Sequence, residues 1–202
     1  MTVSRDDVVL QRPEDLHFQV PVFHTSTACA GAATAYLLRR IAYRAGAYAP
    51  GIQEIIFHEL NTSRDGGSLD KVQRWFASRV SDLHGLGYRL QCRRAATPTP
   101  AILEWVRAGR GYRGAMLPTN YKTIHPQPGS AGKDVIDDAV AHAVGITIDR
   151  IEAKAEEDLV MIDPWPGTKP EARDRTTLPT NLEVAHRERN FNALVYYWVG
   201  WS

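Results

Sequence analysis

The sequence has few cysteines, no long apolar run and almost no excess of charge. Only Cys29 and Cys92 occur among 202 residues, which is too few for a disulfide framework. No apolar run approaches the roughly 18 residues that a membrane-spanning helix needs. The formal net charge of +1 gives no indication of a nucleic acid or an anionic membrane as a partner. These absences favour a globular protein with reduced thiols.

The start of the chain also lacks the pattern of a secretion signal. Residues 1–7 do not run from positive charge into an apolar segment, as a signal peptide does. We therefore expect a cytoplasmic protein, while a signal-less secretion route stays open. The chain is 44% hydrophobic and 23% charged, which is typical of a globular domain with a substantial core. We expect one domain over residues 1–202, of unknown oligomeric state.

Apolar periodicities predict an α+β domain. Amphipathic patterns predict helices that begin at Cys29, after Ser68 and after Pro98. Alternating or continuous apolar runs predict strands at residues 88–93, 114–117, 139–148, 159–163 and 192–199. The two strands that contain residues 139–148 and 159–163 are separated by a charged turn, which predicts an antiparallel hairpin.

Three further stretches have weaker patterns. Residues 46–87 are predicted to be a helical elaboration of the domain. Residues 118–138 are rich in turn-forming residues and are predicted to be a long loop beside the active site, since such loops often serve as lids or binding loops. Residues 166–190 are polar and contain proline, so we expect another loop there.

Cys29 opens a helix that is built from small residues. Ser26 or Thr27 can cap this helix, which places Cys29 in the first turn, where the helix dipole favours a negative charge. A helix start is one of the environments that populate the nucleophilic thiolate. The alternative is a buried structural cysteine, as free cysteines often are. Cys92 alternates with polar residues and is predicted to face the core.

A histidine and an aspartate lie in the two strands of the predicted hairpin. His142 interrupts one apolar strand and Asp163 ends the next. Each has an ordinary explanation alone, as a buried core histidine or as part of an Asp-Pro turn. A thiol at a helix start, an imidazole and a carboxylate are together the three parts of an activated nucleophile, in which the carboxylate fixes the imidazole tautomer.

The order of these motifs resembles that of papain-like cysteine peptidases. The resemblance is strongest to the bacterial subgroup that cuts double-glycine leaders from bacteriocins. Three motifs carry it: Ala28–Ala33, Ala141–Ile146 and Met161–Trp165. A helix and a strand over residues 102–117 also match, and the likeness spans about residues 18–167. It implies a nucleophile helix that packs against an antiparallel sheet.

The resemblance also implies roles for the three residues. Cys29 would be the nucleophile, His142 the general base and then the acid, and Asp163 the orienting carboxylate. The implied reaction is hydrolysis of a peptide or amide bond through an acyl-thioenzyme, with no cofactor. Two alternatives remain open: an acyltransferase or cyclase that uses the same triad, and a papain-like domain that has lost catalysis and binds peptides.

The sequence departs from this family at the expected oxyanion hole. These peptidases have a glutamine about six residues before the nucleophile, where this chain has Phe23. We expect His24 or Gln19 to supply the side-chain donor, beside the backbone N–H of Cys29. The glycine that follows the nucleophile in the family is Ala30 here.

Two other arrangements of histidines and carboxylates could form a reactive site. Asp134, Asp138 and His142 have helical spacing, and Asp163 could add a fourth ligand for a metal hydrolase. That site needs a helix through His142, whereas the β-branched residues that follow favour a strand. We therefore expect no metal. His125 in the long loop is an alternative base, although we expect it to be solvated.

Overall fold

The computed structural model describes seven stretches of the chain: residues 29–44, 69–85, 89–125, 141–148, 159–163, 174–175 and 178–199. The helices in them are α1 (Cys29–Arg44), α2 (Leu69–Gly85), α3 (Thr99–Ala108), α4 (Tyr121–Ile124) and α5 (Leu182–Arg187). The strands are β1 (Leu90–Ala96), β2 (Arg113–Asn120), β3 (Ala141–Ile148), β4 (Leu159–Ile162), β5 (Asp174–Arg175) and β6 (Asn192–Trp198).

The strands form one sheet in the order β1-β6-β2-β3-β4-β5, and every neighbouring pair is antiparallel. The predicted hairpin is β3 with β4, in which Gly145 lies opposite Ile162. The last strand, β6, lies between β1 and β2, so that Tyr196 pairs with both Cys92 and Gly114. This central position explains why its apolar run is continuous. The domain is therefore α+β, with helices packed on an antiparallel sheet.

Helices cover both faces of the sheet. Successive residues of β2 point to opposite faces, with Met116 in one apolar cluster and Ala115 and Leu117 in the other. The first cluster joins α1 and α2 to the sheet through buried side chains that include Leu37, Leu38, Ile41, Val72, Phe76, Leu194 and Tyr196. The second joins α3 and α5 to it through Ile102, Val106, Val144, Ile146, Leu182, Ala185 and Val195. Each large aliphatic side chain buried in this way contributes about 1.5–3 kcal/mol.

Two glycines bring α1 close to the sheet. A Cβ at Gly145 of β3 would lie 3.2 Å from Leu37 Cγ, and a Cβ at Gly114 of β2 would lie 2.9 Å from Leu37 Cδ2. The absence of a side chain at both positions lets the fully buried Leu37 rest on two adjacent strands. This contact fixes the height of α1 above β3, and with it the position of the start of the helix.

The predictions of α1, α2, α3 and the hairpin are confirmed, with ends that differ by a few residues. Within the predicted elaboration at 46–87, residues 46–68 and 86–87 lie outside the described ranges, and the remainder is α2. No helix in the described ranges is both long and apolar enough to cross a membrane.

The prediction of loop at 118–138 is wrong for its first part. Strand β2 continues through Pro118 to Asn120, and the one-turn helix α4 follows directly. Proline has no backbone N–H to donate to a neighbouring strand. Pro118 is tolerated because the pairing of β2 with β6 ends at Met116, so that β2 is paired only with β3 at Pro118. Residues 126–138 lie outside the described ranges.

The prediction of loop at 166–190 is wrong for the part that the structure describes, while residues 166–173 and 176–177 lie outside the described ranges. The stretch contains β5 and α5; α5 buries Leu182 and Ala185 in the second apolar cluster, and its His186 is buried as well. The helix is only 6 residues long, which is too short for an apolar repeat to show in the sequence.

Candidate active site

The site begins at the N-terminus of α1. Cys29 is the first residue of this helix and has a half-buried, free thiol. It lies about 12 Å before Leu37, at 1.5 Å of rise per helical residue. His142 lies about 10 Å before Gly145, at roughly 3.3 Å per strand residue. Leu37 rests on Gly145, which places α1 over β3, and Cys29 at the start of α1 is one of the groups that raise the pKa of His142.

The β3–β4 hairpin presents the histidine and the aspartate together. The strand register would place Asp163 opposite Val144, so that His142 is its diagonal neighbour on the same face. His142 Nε2 lies 2.8 Å from Asp163 Oδ1, and both side chains are fully buried. The imidazole donates its Nε2 proton to the carboxylate, which leaves Nδ1 as the ring nitrogen available to the Cys29 thiol.

The electrostatics of the site favour a charged histidine. Burial by itself lowers the pKa of His142, but the hydrogen bonds and charges of Asp163 and Cys29 outweigh it and raise the pKa to about 9. Burial by itself raises the pKa of Asp163, but the adjacent imidazoles of His125 and His142 hold it well below its ordinary value. At neutral pH the site is therefore an imidazolium that lies between a carboxylate and a thiol.

His125 belongs to this site, and the prediction that it is solvated is wrong. It follows α4, its side chain is 16% exposed, and its Nε2 lies 2.5 Å from Asp163 Oδ2. The sequence carries one weak signal of this arrangement. Asn120 caps the single turn of α4 by accepting a hydrogen bond from the backbone N–H of Lys122, at 3.2 Å.

Tyr121 is a member of the site that the sequence reasoning missed. Its ring centroid lies 4.7 Å from that of His125 and 5.5 Å from that of His142. The contact with His142 is edge-on, at an interplanar angle of 90°. The aromatic ring thus restricts both imidazoles. No pattern around Tyr121 in the sequence distinguishes it from a loop residue.

The same cluster contains the atoms of a possible metal site. The ligand atoms of His125, His142 and Asp163 all lie within 4.8 Å of one another, and two imidazoles with a carboxylate suit Zn²⁺. The N···O separation of 2.8 Å between His142 and Asp163 is instead that of a direct hydrogen bond. The other metal hypothesis needs a helix through His142 and is wrong, since His142 lies in β3; Asp134 and Asp138 lie outside the described residues.

The second cysteine is structural, as predicted. Cys92 of β1 packs against the first apolar cluster. Burial raises the pKa of its thiol to about 12, although a hydrogen bond with Tyr196 acts in the opposite direction. The thiol is therefore protonated at neutral pH and does not compete with Cys29 as a nucleophile.

The candidate oxyanion donors lie outside the described residues. This applies to His24 and Gln19, and also to Phe23, which occupies the place of the family's glutamine. Their role stays a prediction. The backbone N–H of Cys29 is a donor of the first turn of α1, and such donors have no partner within their own helix.

Comparison with known proteins assigns the chain to no family: no protein-family model and no curated protein sequence matches it. The chemistry of the site is therefore inferred from the side chains that the fold brings together. These are a thiol, an imidazole and a carboxylate in series, with a second imidazole on the far side of the carboxylate.

Proposed function

We propose that the protein is a papain-like cysteine hydrolase that cleaves a peptide or amide bond through an acyl-thioenzyme. The observation that carries the proposal is the continuous series from Cys29 through His142 to Asp163. Cys29 acts on the His142 imidazole by raising its pKa, and Nε2 of that imidazole lies 2.8 Å from Asp163 Oδ1. A nucleophile, a base within reach of it and a group that orients the base are the parts that this chemistry requires.

In the first half-reaction, the Cys29 thiolate attacks the carbonyl carbon and forms a C–S bond. The tetrahedral oxyanion accepts a hydrogen bond from the backbone N–H of Cys29 and from a side-chain donor, for which His24 and Gln19 are the candidates. The His142 imidazolium gives its Nδ1 proton to the leaving amine as the C–N bond breaks. The product is an acyl-thioenzyme with a neutral imidazole.

In the second half-reaction, His142 Nδ1 takes a proton from water, and the resulting hydroxide attacks the thioester carbon. The C–S bond breaks, and Cys29 leaves as a thiolate beside the regenerated imidazolium. Asp163 accepts the Nε2 proton in a hydrogen bond throughout, so that Nδ1 always faces the thiol. No metal or cofactor takes part in either half-reaction.

The architecture around the site also supports this proposal. The nucleophile is the first residue of a helix, and that helix packs on an antiparallel sheet whose β3–β4 hairpin carries the base and the carboxylate. The arrangement agrees with what the resemblance to papain-like peptidases implies. The stabilising effect of a helix N-terminus on a thiolate adds to it.

A test that needs no knowledge of the natural substrate is acylation by p-nitrophenyl acetate. The wild type should release one equivalent of p-nitrophenol in a burst and carry an acetyl group on Cys29, as located by peptide mass spectrometry. Cys92→Ser should behave as the wild type, whereas Cys29→Ser and His142→Ala should give no burst. Acetylation of Cys92 instead, or a burst in Cys29→Ser, would contradict the proposal.

Peptide libraries then identify the reaction class. Cleaved peptides that depend on Cys29 and incorporate ¹⁸O from labelled water identify a hydrolase. Condensed or cyclised products that exclude water would identify an acyltransferase with the same triad.

A further inference from the structure

We propose that His125 is a positioning residue that holds the carboxylate of Asp163 in the orientation that serves His142. The active centre is then a series of four residues, Cys29–His142–Asp163–His125. This inference rests on the proposed function for its consequence in catalysis, although the arrangement itself can be tested without any substrate.

The two oxygens of Asp163 have different imidazole partners. Oδ1 lies 2.8 Å from Nε2 of His142, and Oδ2 lies 2.5 Å from Nε2 of His125. The carboxylate is fully buried. A carboxylate with one partner can still rotate about its last torsion, which is broad and roughly two-fold. The contact of His125 with Oδ2 is a close approach without hydrogen-bond geometry. An imidazole packed against each oxygen restricts this rotation.

His125 is itself held by α4 and by the contact of α4 with α5. Its backbone N–H donates to the carbonyl of Tyr121 at 2.8 Å, and its ring lies 4.7 Å from the Tyr121 ring. Thr123 Oγ1 donates to Glu188 Oε2 at 2.8 Å, and the side-chain amide of Asn181 donates to the Thr123 carbonyl. An imidazole that is supported in this way can fix the orientation of its partner.

The position of His125 argues against its being the base for the thiol. The imidazole that interacts with Cys29 is that of His142, and His125 lies on the opposite oxygen of the carboxylate. His125 therefore acts on the nucleophile only through Asp163 and His142.

The proposal predicts the direction in which the pKa of His142 changes when His125 is removed. The groups that act on His142 are Cys29 from α1, Asp163 after β4, and His125 with Tyr121 from the α4 turn. Release of Asp163 weakens its bond to His142 and lowers the pKa of His142. Loss of a neighbouring positive charge alone would raise that pKa. The two explanations therefore predict opposite signs.

The experiment is an NMR titration of the His142 imidazole in wild type, His125→Ala and His125→Gln. Glutamine keeps a side-chain donor at about the distance of Nε2 from the backbone. We expect a pKa of about 9 in the wild type, a decrease of about one unit or more in His125→Ala, and a value close to wild type in His125→Gln.

His186→Gln is the matched control. His186 is also a buried histidine, but it contacts Thr99 and the carbonyl of Asn192 rather than Asp163. Its replacement should leave the titration of His142 unchanged. An unchanged or raised pKa of His142 in folded His125→Ala would overturn the proposal, as would an equal decrease in His125→Gln and His125→Ala.

Catalysis provides the second readout. In His125→Ala, kcat should fall about tenfold or more, because a carboxylate that is free to rotate holds the His142 imidazole less well in its productive orientation, with KM unchanged, and His125→Gln should restore most of the loss. Absence of turnover in the wild type would contradict the proposed hydrolase. The NMR titration needs no substrate, so it would still test whether His125 holds Asp163.

Discussion

The two cysteines should differ in reactivity by about three orders of magnitude. Burial raises the pKa of Cys92 from an ordinary value of 9.0 to about 12. At pH 7.5 the thiolate fraction of Cys92 is then about 3 × 10⁻⁵, against about 3 × 10⁻² for an ordinary thiol. Because the thiolate is the species that reacts, Cys92 should be alkylated about a thousandfold more slowly than an exposed cysteine.

Cys29 should react at least as fast as an exposed cysteine. It is half-buried at the first turn of α1 and interacts with the imidazolium of His142. Helix N-termini and neighbouring imidazolium groups are environments in which reactive cysteines are found. We therefore expect Cys29 to exceed Cys92 by about 10³-fold or more in reaction with iodoacetamide at pH 7.5. His142→Ala should slow Cys29 and leave Cys92 as it was.

The assay is limiting iodoacetamide with quenched time points and peptide mapping by mass spectrometry. Cys92→Ser serves as the control, and its alkylation curve should match the Cys29 curve of the wild type. Equal rates at the two positions, or faster modification of Cys92, would refute the reasoning from burial and from the His142 contact. A Cys29 rate that does not change in His142→Ala would show that the thiol is not coupled to the histidine.

The remaining predictions concern turnover, pH, metals and stability. His142→Ala should abolish turnover while the circular dichroism spectrum stays native, and a fully active His142→Ala enzyme would contradict its role as the base. Asp163→Asn should lower the turnover less than loss of Cys29 does, since an orienting group can be partly replaced. The ratio kcat/KM should fall as the pH rises through about 9, where His142 loses its proton. A fall near pH 6.5 instead would show that Asp163 and Cys29 do not keep His142 protonated. The stability that this raised pKa contributes should be fully present below pH 6.5 and lost between about 6.5 and 9, as measured by urea unfolding. Dialysis against EDTA should leave turnover unchanged, whereas a loss that only Zn²⁺ restores would favour a metal centre. Gly145→Ala would place a Cβ 3.2 Å from Leu37 Cγ and should lower the free energy of unfolding by about 1–3 kcal/mol; a more stable variant would show that α1 has room to move.

Local patterns sufficed for the elements that carry Cys29, His142 and Asp163. The 16-residue α1 and the β3–β4 hairpin each leave a repeat in the sequence that neighbouring residues define. Since β3 and β4 are adjacent in both sequence and space, the meeting of His142 with Asp163 could also be predicted.

Short elements were missed for the opposite reason. The 4 residues of α4 and the 6 of α5 are too few to show a helical period, and Pro118 reads as a loop residue until the end of the β2–β6 pairing is known. The exposure of His125 was therefore predicted from a loop at residues 118–125, where the structure has the end of β2 and the helix α4.

The sequence by itself determined the candidate thiol, imidazole and carboxylate, because helix starts, apolar strands and hairpins are encoded by residues close together in the chain. Only the tertiary structure decided that a second imidazole pairs with the carboxylate. His125 reaches Asp163 because α4 docks on α5 through Thr123 and Glu188. That contact joins segments far apart in the chain, and its free energy depends on packing that no local pattern records.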